Sequence, residues 1–362
     1  MDTFTINSRF KQYSVAFTEQ FGFFKRLASL ENAVYVVDEN VLRLYPEHFA
    51  AIDKERLFPF HAVEEKKNME SVLGFVRVLL RQDVRRNTTL VSIGGGITQD
   101  VTGCVASILY RGIPWIFVPT TLLAQVDSCI GSKTSLNLDS YKNVLGAFYP
   151  PDEIYVDVGF VDTLSALDRW SGIGELVKLL LMDVSEAADL KRVKREIETL
   201  TQNKEGLFAG VKKGLAIKKS YIEEDEFDHG RRNLLNYGHT LGHALEGVSD
   251  FRIPHGIGVV IGMLHENLIA LRRGRVTPET VGEVNRGILL PNLHLEEMDI
   301  RAQDFEAGPL LEKMSRDKKR TGAGLAMILP RAPFALERVQ DVSPKECTQT
   351  LADLAMQLSL RG

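Results

Sequence analysis

Two hydrophobic rhythms run along the chain, and the change between them falls near its middle. In the first half, short runs are apolar at nearly every position: AVYVV at 33–37, TTLVSI at 88–93, WIFV at 115–118 and IYVDV at 154–158. A strand with one wet face alternates, whereas continuous apolar runs mark strands buried on both faces of a parallel sheet. Between them, SVLGFVRVLLR at 71–81 spaces its apolar residues three and four apart, the period of a helix with one buried stripe. Strands alternating with helices predict a doubly wound α/β domain. From about Ser165 the rhythm is helical. Helices are expected over 173–184, 187–199, 207–224, 238–247 and 256–271, and a late strand over 325–329. The pattern predicts an α/β Rossmann-like N-terminal domain over 1–165 and a mainly α-helical C-terminal domain over 166–362. The charged segment EEDEFDHGRR at 223–232 is expected to be a solvated connection.

Composition narrows the possibilities. With 362 residues, 44% of them hydrophobic, the chain has ample apolar surface to bury and exceeds one core of usual size. Lys plus Arg is 44 against 48 for Asp plus Glu, a net charge of -4, so no nucleic-acid partner is expected. Cys104, Cys129 and Cys347 are too scattered for a disulfide framework or a zinc CxxC site. The start, MDTFTINSRFK, lacks the apolar core of a signal peptide. The most apolar stretch, 113–126, is interrupted by Pro119, Thr120, Thr121 and Gln125, and falls short of the roughly 20 residues that cross a bilayer. A soluble cytoplasmic protein with no membrane partner is expected.

Candidate chemistry begins at Gly94-Gly95-Gly96, which follows a strand and precedes a helix. Such a loop lets a ligand approach the backbone, and the helix N-terminus offers unpaired N–H groups to a pyrophosphate. It is not the GxGxxG fingerprint, and a tight strand-to-helix turn reads the same way. Asp38-Glu39-Asn40 closes the first strand, where carboxylates bind ribose hydroxyls in such sheets; a plain helix N-cap is the alternative. Together the two cues favour a dinucleotide.

A second group gathers titratable residues. His239 and His243 are four apart and share a helix face, His255 follows Pro254, and Glu175 and Lys178 are three apart. Three imidazoles and a carboxylate suit zinc or a similar divalent ion. Lys133, Lys142 and Asn143, and the run Asp317-Lys318-Lys319-Arg320, supply cations that suit a phosphate if the fold brings them together.

These residues in this order resemble the 3-dehydroquinate synthases and, more broadly, the sugar phosphate cyclases. The resemblance is carried by Gly94-Gly95-Gly96 to Asp100, Arg111-Gly112, Val118 to Leu123 (VPTTLL), Val126-Asp127-Ser128, Lys142-Asn143, Gly146 to Tyr149, Gly174-Glu175, Asn236 to His243 (NYGHTLGH), His255-Gly256 and Asp317-Lys318-Lys319. It implies an NAD-binding N-terminal domain, a metal-binding C-terminal domain, an active site between them, and a homodimer. The metal, zinc or cobalt, would be held by Glu175, His239 and His255, which releases His243 for phosphate binding or proton transfer. NAD would be held by Asp38, Asn40, Glu64, Lys67, the three glycines, Asp100, Thr120, Thr121, Asp127, Lys142 and Thr163. The substrate phosphate would meet Lys133, Asn143, Lys178, His243 and one of Lys318 and Lys319. Arg111 would reach the partner's substrate. Asp127 and Lys218 would serve hydroxyl binding and proton transfer, and Arg232 and Asn236 the substrate carboxylate.

The implied reaction oxidises a seven-carbon sugar acid phosphate transiently with NAD, eliminates phosphate, returns the hydride and closes a carbocycle by an intramolecular aldol step. Related cyclases that act on substrates without a carboxylate lack the Arg…Asn pattern, so Arg232 and Asn236 favour an acid substrate, 3-deoxy-arabino-heptulosonate 7-phosphate. Cyclases of the amino-dehydroquinate, 2-deoxy-scyllo-inosose and valiolone types, and a metal-dependent polyol dehydrogenase, are the alternatives. Three departures stand out: Ser132 where the family has Gly, Gln99 where it has Gly or Asn, and His61-Ala62-Val63-Glu64 in place of an acidic DGE, with the Glu64/Lys67 spacing kept. They bear on substrate identity more than on reaction class.

Overall fold

The structure is a computed structural model that describes residues 2–139, 141–315 and 324–358. The chain divides into two compact units, Met1–Leu164 and Ser165–Gly362.

The first unit is built on β1 (Asp2–Asn7), β2 (Gln12–Phe17), β3 (Ala33–Asp38), β4 (Leu57–Phe60), β5 (Thr89–Gly94), β6 (Trp115–Pro119), β7 (Lys133–Leu138), β8 (Tyr141–Phe148) and β9 (Glu153–Val156). Seven of them form one sheet in the order β1-β2-β9-β6-β5-β3-β4. All its pairings are parallel except β1 with β2. The continuous apolar runs are its inner strands, and Val34 to Val37, Leu90 to Ile93 and Trp115 to Val118 are buried, as strands covered on both faces must be. The register pairs Val37 with Ile93 and Gly94 with Pro119, so Asp38, the glycine loop and Thr120 leave the sheet at one edge.

Of the five strands in this unit that the apolar-run test does not find, β1, β2, β4, β7 and β8, four escape it for identifiable reasons. β4 (LFPF) carries Pro59, which an edge strand accepts because one side of its ladder is unpaired. β1 buries only Ile6. The separate hairpin β7–β8 is polar: β7 buries Thr134 and Leu136, and β8 buries no side chain.

The second unit is mainly helical. Its long helices are Ala166–Leu181, Ala187–Leu200, Lys204–Glu224, His239–Val248 and His255–Arg272, joined by a hairpin of β10 (Leu325–Arg331) and β11 (Ala335–Val342) and a closing helix Pro344–Gln357. That last helix begins at a capping box, Ser343 with Glu346, an S-x-x-E signature that lies in the sequence. Helix His255–Arg272 is the axis of the unit, buried at every position from Gly256 to Ala270. Missing side chains let its neighbours close on it. A Cβ at Gly174 would stand 2.4 Å from the Gly256 carbonyl oxygen, and one at Gly256 would stand 1.8 Å from that of Ser171. Among the described residues, no helix is long and apolar enough to cross a membrane.

Candidate active site

The glycine contacts just described set the position of the titratable cluster. Because helix Ala166–Leu181 presses its Gly174 against Gly256, Glu175 is carried next to His255 at the start of the axial helix. Gly238, with φ +79, turns the chain into helix His239–Val248 in a left-handed conformation that glycine adopts without strain. Its N–H donates to Glu266 Oε2 at 2.7 Å, which ties the turn before His239 to the axial helix. Burial holds the Glu266 carboxyl well above its ordinary range despite that hydrogen bond.

The outcome is a convergent centre. Glu175 Oε1 lies 3.4 Å from His239 Nε2 and 3.2 Å from His255 Nε2. Nitrogens of His239, His243 and His255 fall within 4.8 Å of one another. The far side of each inner ring is occupied: His255 Nδ1 faces Glu246 Oε1 at 2.7 Å, and His239 Nδ1 faces the Tyr237 carbonyl at 3.1 Å. Those partners aim both Nε2 atoms at Glu175, as outer groups do for metal-binding imidazoles. Lys178 Nζ contacts Glu175 Oε2 at 2.6 Å and donates to the Leu235 carbonyl at 2.8 Å.

Electrostatics follow from burial. Glu175 is fully buried, and burial resists its ionisation, but Lys178, His239 and His255 outweigh this and hold its carboxyl well below the usual range. Burial, and then the Lys178 charge, keep His239 neutral well below its ordinary value. For His255, burial is overcome by Glu246 and Glu175, which raise it to about 10.

A divalent metal fits this centre. Both Glu175 oxygens are buried without a hydrogen bond of acceptable geometry, although ionic contacts surround them. An orphaned buried carboxylate facing two oriented imidazoles is the donor set that zinc or cobalt takes. Glu246 carries no signal in the sequence; it lies three residues after His243, and only the fold turns it toward His255.

Other expected residues of this unit have local partners. Arg232 is 5% exposed and donates from its guanidinium to the Glu226 carbonyl. Asn236 Nδ2 donates to the Asn233 carbonyl at 2.8 Å, and Lys218 is buried on helix Lys204–Glu224. The segment 223–232 is therefore not solvated throughout: Glu226 is buried too, and Asp225 gathers the N–H groups of His229, Gly230 and Arg232. Its charges fold inward because they satisfy a tight turn. Lys318 and Lys319 lie outside the described residues.

In the first unit, the structure joins Glu64, Lys67, Asp100, Lys142 and Asn143. Lys67 Nζ meets Asp100 Oδ2 at 2.6 Å and Asn143 Oδ1 at 2.8 Å, and Lys142 Nζ meets Glu64 Oε1 at 3.1 Å. Ser135 donates to both Asp100 oxygens from its N–H and its hydroxyl. Burial still keeps the Asp100 carboxyl above its ordinary range, against the pull of Lys67. At the sheet edge, a Cβ on Gly94 would strike Thr98 Oγ1 at 2.4 Å, so the glycine is sterically required there. Thr120 is buried and its N–H donates to the Gly94 carbonyl at 2.9 Å; Thr121 Oγ1 accepts from Ala124 N–H at 3.2 Å. Asp38 is the N-cap of helix Glu39–Leu44, accepting from Asn40 N–H at 2.8 Å, so the plain capping role is realised. Thr163 Oγ1 pairs with the Tyr45 hydroxyl at 2.8 Å. Asp127 sits in a π-helical turn, Ala124–Ser128, and Lys133 opens β7 with an exposed side chain. Arg111 is exposed with φ +66.

The sequence model of the 3-dehydroquinate synthase N-terminal region matches residues 57–169, and that of the C-terminal region matches residues 172–320. The 3-dehydroquinate synthase of Alkaliphilus metalliredigens is 32% identical over 327 residues, 89% of this chain and 90% of that protein.

The chain belongs to the 3-dehydroquinate synthase family.

The enzyme of the same name from Rhizobium meliloti is 34% identical over 344 residues, 91% of this chain and 88% of its own length. Among solved structures, 2-epi-5-epi-valiolone synthase from Streptomyces hygroscopicus subsp. jinggangensis, with NAD+ and Zn2+ bound, superposes with TM-score 0.80 at 26% identity, covering 95% of this chain and 97% of that one. A 2-deoxy-scyllo-inosose synthase complexed with carbaglucose-6-phosphate, NAD+ and Co2+ gives 0.78 at 23% identity, covering 97% and 100%, and so shares the fold.

Proposed function

We propose that this member of the family is a 3-dehydroquinate synthase: a carbon–oxygen lyase that converts 3-deoxy-arabino-heptulosonate 7-phosphate to a carbocycle with release of phosphate. The observation that carries the reading is the convergence of Glu175, His239 and His255 beside the buried ammonium of Lys178. Bound to that carboxylate and those imidazoles, a zinc or cobalt ion supplies Lewis acidity toward the substrate hydroxyls. Bound at the glycine loop, NAD supplies a hydride acceptor that is regenerated within each cycle.

The remaining work falls to side chains. Lys178, 1% exposed, keeps its charge poorly screened, so it acts strongly on a phosphate brought to it. Lys133, Asn143 and His243 complete the phosphate contacts, with Lys318 or Lys319. The Arg232 guanidinium, steadied by the Glu226 carbonyl, and Asn236 bind the substrate carboxylate. Asp127 and Lys218 hold hydroxyls and move protons. The Lys67–Asp100 and Lys142–Glu64 pairs shape the NAD site. The protein works in the cytoplasm as a homodimer, with Arg111 offered to the partner's substrate.

Purified protein supplied with NAD, a divalent metal and the heptulosonate phosphate is expected to release phosphate and form a carbocycle; absence of both overturns the reading. The likeness to the valiolone synthase favours one second reading, a cyclase for a sugar phosphate without a carboxylate. Arg232→Ala separates them, because it cripples turnover of an acid substrate and spares a neutral one.

A further inference from the structure

One buried amide has no part in the roles above, yet lies between two of them. Gln99 belongs to the opening turns of helix Gly96–Ile108, the helix that begins in the glycine loop, and is 4% exposed. Both ends of its amide engage a single residue. Nε2 donates to the Ser128 carbonyl at 2.6 Å, and Oε1 accepts from Ser128 Oγ at 2.6 Å. Ser128 ends the π-helical turn Ala124–Ser128 and adjoins Asp127. Turns of this width are rare and concentrate at functional sites. This one is held from several sides: Cys129 N–H donates to the Ala124 carbonyl at 3.0 Å, and buried Gln125 Nε2 donates to the carbonyls of Pro119 and Asp157 at 3.1 and 2.8 Å. Ser128 Oγ also lies 3.7 Å from where a side chain on Gly96 would begin, so the same hydroxyl borders the glycine loop.

We propose that Gln99, through its two-point grip on Ser128, is a positioning residue that holds Asp127 in register with the glycine loop. This rests on the reading of Asp127 and Gly94–Gly96 given above. One hydrogen bond leaves a pivot; two from a planar amide remove it. The polarity is also fixed: reversing the amide would set Oε1 against the Ser128 carbonyl oxygen, two acceptors face to face, whereas the serine hydroxyl could serve either end. A group displaced by about 1 Å loses on the order of a hundredfold in rate, so a rigid link beside a reacting residue has kinetic weight.

The test compares Gln99→Met, Gln99→Glu and Ser128→Ala with the native enzyme by phosphate release, NAD binding followed by protein fluorescence, and thermal unfolding. Gln99→Met keeps length and burial but loses both bonds; kcat is expected to fall about tenfold to a hundredfold while the NAD Kd stays within about threefold. Ser128→Ala retains the carbonyl bond, and a fall of about threefold is expected. Gln99→Glu can donate to the Ser128 carbonyl only when protonated, so its kcat relative to native should recover as the pH drops from about 8 to about 6. Native kcat in Gln99→Met overturns the proposal while the proposed function stands. So does a joint loss of kcat, NAD affinity and melting temperature with no acid recovery in Gln99→Glu, the pattern of simple packing damage. A native protein that binds NAD but releases no phosphate overturns the proposed function, and this proposal with it. If Gln99→Met fails to fold, the other two variants decide.

Discussion

In the first unit, several candidate positions sit where strands end or the backbone departs from regular geometry: Gly94 to Gly96 at the end of β5, Asp38 at the end of β3, Asp127 in a π turn, and Asn143 at φ +51 within β8. In the second unit they are side chains on helices, and Glu175, Lys178, His239, His243 and His255 meet because those helices approach through glycine. The first arrangement is built on backbone turns and hydrogen-bonded charge pairs. The second concentrates charge where water is excluded. The units should therefore fail differently when altered, one through local conformation and the other through uncompensated charge.

The largest effect is expected at the helical centre. His239→Ala removes one of the two imidazoles aimed at Glu175; metal content after purification should collapse and turnover should fall at least about a thousandfold. Full metal occupancy in that variant would break the assignment. In the first unit, Lys67→Ala removes the cation beside Asp100, whose oxygens keep the two bonds from Ser135, and should cost about 2 kcal/mol of stability, read by denaturant unfolding, and weaken NAD binding. An unchanged midpoint would mean that this pair is as weak as a surface one.

A pH test sharpens the contrast. His265, fully buried on the axial helix beside Thr350 Oγ1 at 2.8 Å, is lowered by burial from 6.5 to about 4. The fold prefers its neutral form, so the stability it contributes is present above pH 6.5 and is lost as the pH falls through about 4. The loss amounts to roughly 3 kcal/mol for a shift of this size. Comparing His265→Gln with native protein at several pH values checks it: the difference should shrink toward acid, and a constant difference would rule it out. The smallest effect is Ser132→Gly. Ser132 stands at φ +66, a conformation glycine adopts without strain, and glycine there should gain about 1 kcal/mol. A loss would show that the serine hydroxyl contributes more than its backbone strain costs.

Much of the fold was legible because burial on both faces writes itself as continuous apolar runs. Ala33–Asp38, Thr89–Gly94 and Trp115–Pro119 lie within a residue of the expected strands. The β7–β8 hairpin was not legible, since a strand that buries Thr134 and Leu136 alone leaves almost no hydrophobic trace. The N-terminal turns of helix Ala166–Leu181 were missed because they are largely solvated, although Ser165 caps them through the Asp168 N–H. In the site, residue types pointed to Glu175, His239, His243 and His255 together, and the family resemblance implied Glu175, His239 and His255 as the metal-holding set. Glu246 carried no signal, because an orienting carboxylate is defined by its partner and not by its spacing.

By itself, the sequence determined the two halves, the kinds of residue available to each, and the chemistry they allow, since period and composition are local properties. Tertiary structure decided which groups meet. Glu175 and His255 are joined by a glycine contact between helices distant in the chain, and Gln99 reaches Ser128 across 29 positions. Such pairings depend on close packing and on satisfying buried polar groups, which act only once the chain has folded.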